Sequence, residues 1–282
     1  MLFELGLCLL SLLGPKLPVG QGPILSEVEW VVDEVERTAW VRVPELEEGE
    51  TAPLVFAWHG HGGRARGMAR SLKLHELWPE AIVVYPQGLK TAGYYDPKGE
   101  RSGWEMKGEA EENRDLKFFD VMLADFRERG IVDEQRIHST GHSNGGGFTY
   151  ILLFERGEAF ASVAPSSAGA GRFFSTRAKV HIPVFHLAGE ADKVVPMEWQ
   201  EPTIKAIKKH NECGEAEPWG EHPLCKIYPS KLDAPLVTYV HSGGHRMPKD
   251  AGELFVKFFK EHPRPAPEGE AKAPDAGSGD DD

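Results

Sequence analysis

Arg136-Ile137-His138-Ser139-Thr140-Gly141-His142-Ser143-Asn144-Gly145-Gly146-Gly147-Phe148 is the stretch whose reading decides the fold. A short apolar run, after a turn expected at Val132-Asp133-Glu134, leads into Gly141-x-Ser143-x-Gly145. Phe148-Thr149-Tyr150-Ile151-Leu152-Leu153-Phe154 follows as a buried helix. Strand, glycine-flanked serine and helix together describe a very tight turn, in which a Cβ at the glycine positions would strike the neighbouring strand or helix. Such a turn lifts the Ser143 hydroxyl into the open. A glycine-rich turn without chemistry would also fit the spacing, but the strand before it and the helix after it favour a nucleophile.

Working outward, the chain alternates strands with helices. Residues 28–43 read as one or two early strands, and 54–58 and 81–85 as buried strands with a helix between them near 68–75. Residues 87–114 form a long irregular excursion, of the length that usually carries function. Asp115 is expected to cap a helix with apolar positions Leu116, Phe119, Met122, Leu123 and Phe126, stopped by Gly130. Residues 160–165, 184–188 and 236–240 read as further buried strands, 198–210 as a helix, and Leu254, Phe255, Phe258 and Phe259 as the stripe of a closing helix. This order implies an α/β fold with a mostly parallel sheet and helices on both faces.

With 282 residues and 40% hydrophobic content the chain suits one globular domain, taken here as residues 23–262. A formal charge of -12 argues against a nucleic-acid or anionic-membrane partner, both of which need clustered Lys and Arg. Much of that excess falls after Pro267, and residues 263–282, rich in Pro, Ala, Gly and Asp, are expected to be a disordered acidic tail. Residues 1–22 read as a leader. Their apolar run from Leu2 to Gly14 is too short for a membrane span but matches a signal peptide, although Glu4 lies inside it and no Lys or Arg precedes it. A secreted or periplasmic protein without stable membrane insertion is therefore expected. With Cys8 lost in the leader, Cys213 and Cys225 remain as an even pair, and a disulfide between them is expected; two buried thiols are the alternative.

A serine nucleophile needs a base oriented by an acid. Asp192 follows the strand at 184–188 in the loop Gly189-Glu190-Ala191-Asp192, and His245 follows the strand at 236–240 in His241-Ser242-Gly243-Gly244-His245. The order Ser143, Asp192, His245 fits a catalytic triad, with Glu190 and His241 as the next candidates. An oxyanion would need two N–H donors, expected from the backbones of Asn144 and of His61 in His59-Gly60-His61-Gly62-Gly63. The H-x-H pair also admits a metal reading, disfavoured by the glycine-rich turn and the lack of a third ligand nearby; no metal or other cofactor is expected. Trp104 in the excursion is the candidate for stacking on substrate, packing of the loop onto the body being the alternative reading for it and for Tyr94 and Tyr95.

These motifs, with Tyr85-Pro86-Gln87-Gly88 and Val163-Ala164-Pro165, resemble the esterase family of polyhydroxybutyrate depolymerases, feruloyl esterases and acetylxylan esterases, over about residues 54–259. The resemblance implies the α/β-hydrolase fold, a carboxylic ester hydrolase activity, Ser143, Asp192 and His245 as triad, and the His61 and Asn144 backbones as oxyanion hole. The chain departs from the family pattern at His61, where many relatives have Cys, and at Met247, often aromatic. A small-molecule or glycan-linked ester is the expected substrate; an acyltransferase or a catalytically silent binding protein on the same scaffold are the other classes.

Overall fold

The computed structural model describes residues 24–107 and 110–265. The expected leader with Cys8, and the expected tail from residue 266 onward, lie outside the described residues.

The strands are β1 (Ser26–Val32), β2 (Val35–Arg42), β3 (Ala52–Trp58), β4 (Ile82–Pro86), β5 (Leu89–Lys90), β6 (Ser102–Gly103), β7 (Val132–His142), β8 (Ser162–Ser166), β9 (Val184–Gly189), β10 (Glu217–Pro218), β11 (Cys225–Tyr228) and β12 (Leu236–His241). The helices are α1 (Ala65–Leu72), α2 (Leu74–Leu77), α3 (Arg114–Glu128), α4 (Asn144–Arg156), α5 (Gly171–Arg177), α6 (Met197–His210) and α7 (Ala251–Glu261). Among the described residues one ten-stranded sheet runs in the order β1-β2-β4-β3-β7-β8-β9-β12-β11-β10. From β4 to β12 neighbouring strands are parallel, with antiparallel strands at either side.

β3, β4, β8 and β9, in which apolar residues predominate, are buried along their whole length, as covering on both faces requires. Alternation along β3 sends Leu54, Phe56 and Trp58 to the core beneath α3 and α4, and Val55 and Ala57 to the core beneath α1 and α7. The expected α/β-hydrolase architecture is thus the one observed.

Local boundaries differ in places. Asn113, not Asp115, caps α3, its side chain accepting from the N–H groups of Asp115 and Leu116; Asp115 is buried in an ion pair with Arg37 at 2.6 Å. The turn expected at Val132-Asp133-Glu134 lies inside β7, because Val132 pairs with Ala52. The helix expected at 68–75 is split into α1 and α2 by Lys73, whose φ of 52° is left-handed.

The expected disulfide is corrected: Cys213 and Cys225 are free thiols. Cys213, just after α6, packs against the core on one face of the sheet, whereas Cys225 on β11 belongs to the core on the other. Closeness in sequence does not bring them together because the sheet lies between them. No helix among the described residues is long and apolar enough to cross a membrane.

Candidate active site

Ser143 stands at the junction of β7 and α4 with φ 58° and ψ -120°, a strained conformation for a residue with a side chain. The turn is as tight as its glycines imply: a Cβ on Gly141 would strike the Gly145 carbonyl, and one on Gly145 the Trp58 carbonyl. The Ser143 N–H is held by the Ser166 carbonyl at 2.8 Å, which ties the turn to the end of β8.

Because β7, β9 and β12 are parallel members of one sheet, their C-terminal ends share one side of it. The loops that leave β9 and β12 therefore converge on Ser143. His245 Nε2 lies 2.8 Å from Ser143 Oγ, and His245 Nδ1 lies 2.7 Å from Asp192 Oδ2. An ionised carboxylate only accepts, so Nδ1 carries the proton and Nε2 is left to accept from the serine hydroxyl. Asp192 Oδ1 accepts the N–H groups of Val194 at 2.8 Å and Val195 at 2.9 Å. Burial alone would raise the Asp192 pKa, but the hydrogen bonds from His245, Val195 and Val194 hold it below the ordinary carboxylate value. Neither Glu190, which is exposed, nor His241, whose Nδ1 accepts from Gly243 N–H, enters this chain.

Several supporting contacts were not read from the sequence. Gln200 on α6, fully buried, donates to the Val195 carbonyl at 2.7 Å and so fixes the loop that grips Asp192. The His142 ring lies beside His245, tilted by 40° with ring centroids 4.8 Å apart. Burial, reinforced by the neighbouring His245, lowers the His142 pKa to about 4, so this ring brings no charge to the site near neutral pH. His61 pairs through Nε2 with Asp96 Oδ2 at 3.0 Å, and this bond draws the Asp96 pKa down. Their signals were faint, since a lone Gln in a helix or an Asp in a loop has no spacing to betray it.

Of the residues expected at the oxyanion hole, Asn144 directly follows Ser143, and His61 lies in the loop whose Gly60 faces that serine. Asn144 opens α4, where a backbone N–H has no intrahelical partner. Its side chain clasps the Trp104 backbone, accepting from the N–H at 2.7 Å and donating to the carbonyl at 3.1 Å. Gly60 backs onto Ser143, its Cα facing the serine side chain so closely that an added Cβ would lie 3.5 Å from Ser143 Cβ. The neighbouring N–H groups of Gly62 and Gly63 are bound to the carbonyls of Ser102 and Gly60. His59 is buried, accepting Gly88 N–H at Nε2, and shares no partner with His61. Among the described residues no group of three or more His, Cys, Asp or Glu is placed to hold a metal.

Trp104 is corrected. Its side chain is fully buried, its indole N–H donates to the His59 carbonyl at 2.7 Å, and its ring packs against Trp58 and Phe148. It cannot meet a substrate, because the excursion folds back under the 59–63 loop and carries this ring into the core.

A strand-helix sheet with a serine on its sharpest turn, bonded to a histidine and an aspartate at the same sheet edge, defines an α/β-hydrolase. Residues 31–163 match the family model of acetyl xylan esterase (AXE1). Feruloyl esterase D of Neurospora crassa is 26% identical over 274 residues, covering 86% of this chain and 91% of that protein. Probable feruloyl esterase C of Aspergillus clavatus is 25% identical over 198 residues, covering 68% and 69%. The acetyl xylan esterase from Aspergillus awamori has a similar structure, with a TM-score of 0.64 at 13% identity over 83% of this chain and 99% of that one. The chain is a carboxylic ester hydrolase similar to the feruloyl and acetyl xylan esterases, and the resemblance read from its sequence is borne out.

Proposed function

We propose that the protein hydrolyses soluble acyl or aryl esters through an acyl-enzyme on Ser143. The observation that carries this reading is the unbroken hydrogen-bond chain from Ser143 Oγ through His245 to Asp192. His245 takes the serine proton through Nε2 as Oγ attacks the ester carbonyl, and Asp192 stabilises the imidazolium that forms. The N–H groups of His61 and Asn144 receive the oxyanion, an arrangement supported by the commitment of the Gly62 and Gly63 N–H groups elsewhere. His245 then protonates the departing alcohol, and water repeats the attack on the acyl-enzyme. Relatives described as feruloyl and acetyl xylan esterases support ester substrates of a phenolic acid or an acetylated glycan. Export belongs to the same reading, supported by the apolar opening run of the sequence.

The test is Ser143→Ala, which should keep the fold and lower kcat by several orders of magnitude on any ester that the wild type cleaves. His245→Ala should match it, and the double substitution should cost little more than either alone, since the groups act as a unit. Substantial activity in pure Ser143→Ala protein would overturn the assignment. Product analysis with an acceptor alcohol present distinguishes hydrolysis from acyl transfer, and a wild type inert toward every ester would point to a silent binding protein.

A further inference from the structure

Gly93 and Asp96 bond each other's backbone in both directions, at 2.9 Å and 3.1 Å, so Tyr94 and Tyr95 form the tip of a two-residue turn. The turn is fixed at its base and its tip. At the base, the His61 ring packs against Gly93 while its Nε2 pairs with Asp96, whose carboxylate also accepts the N–H groups of Glu100 and Arg101. At the tip, the Tyr95 hydroxyl donates to the Val194 carbonyl at 3.2 Å, and the N–H of that same residue holds Asp192. The turn thus spans from the loop that carries His61 to the loop that carries Asp192.

The Tyr95 hydroxyl ties the turn down, but folding gives no account of the two exposed rings at this tip. Turn tips favour Gly, Asn, Asp and Pro, and buried area favours aromatics, yet Tyr94 is 83% and Tyr95 65% exposed. Their rings stand edge to face, 4.9 Å apart at 85°, which leaves flat ring surface open to a third partner. We infer that the Tyr94–Tyr95 turn is a ring-binding subsite at the mouth of the active site, which selects esters carrying an aromatic group. This deepens and rests on the esterase reading above. A planar phenolic ring can stack on one tyrosine face and meet the edge of the other, while its ester carbonyl reaches Ser143 beside the anchored loops.

The test uses three substrates, methyl ferulate, an acetylated xylose and ethyl acetate, each with wild type, Tyr94→Ala, Tyr95→Ala, the double variant and Tyr94→Phe. The ratio of kcat/KM for methyl ferulate to that for ethyl acetate should fall roughly three- to tenfold for each alanine, the scale of one lost ring contact. Tyr94→Phe, which keeps the ring, should retain the ratio. In a Ser143→Ala background, methyl ferulate binding measured by calorimetry should weaken by the same factor when the alanines are added. An equal loss on methyl ferulate and ethyl acetate, a loss concentrated on acetylated xylose, or an alanine double variant with unchanged ratio and binding would each overturn the subsite. A wild type that cleaves ethyl acetate but not methyl ferulate would overturn it while leaving the esterase standing; a wild type that cleaves none would remove both.

Discussion

Trp104 serves the site from below rather than from within. Its backbone is clasped by the Asn144 side chain and its ring fills the space between Trp58 and Phe148, so it props the residue after the nucleophile. Trp104→Ala should cost about 3–5 kcal/mol of stability, as truncation of a fully buried aromatic does, measured by urea unfolding. Its kcat/KM should fall by a similar factor on aryl and acetyl esters, because what loosens is Asn144 and not a ring contact with substrate. A loss confined to aryl esters would return Trp104 to the substrate. At this scale Ser143, Asp192 and His245 were legible because each sits in a glycine-marked loop at the end of an apolar strand. Trp104 was not, because an irregular loop has no periodicity to say which way a ring turns.

Elements announced themselves when apolar residues predominated in them. β3, β4, β8, β9 and β12 lie within a residue or two of their expected places, since a short run with few polar positions most readily becomes a doubly covered strand. The short strands β10 and β11 gave no such signal, and pairing across the sheet gave none at all. The separation of Cys213 from Cys225 follows from that gap: sequence counts residues between thiols, while the sheet decides which face each one joins. Protein denatured without reductant and treated with iodoacetamide should carry an adduct on both cysteines, read by peptide mass spectrometry. Reductant should leave the melting temperature unchanged, and a linked Cys213–Cys225 peptide would contradict the structure.

For the molecule as a whole, the buried histidines set the response to acid. Burial lowers His138 to about 3 and His142 and His186 to about 4, against about 6.5 in an unfolded chain. Between those values the unfolded state binds more protons than the folded one, so stability is full above about pH 6.5 and is lost as pH falls toward 4. The urea midpoint should be level at neutral pH and decline through that window; a flat midpoint from pH 7 to 4 would show that these rings are not held neutral. The sheet order has a temporal side as well. Ser143 follows β7, Asp192 follows β9 and His245 follows β12, so the proposed nucleophile emerges from synthesis 102 residues ahead of its proposed base. Until β12 has docked beside β9, the chain holds an exposed serine that nothing can activate. Under the proposed mechanism, the base thus reaches Ser143 only with the last parallel strand of the sheet.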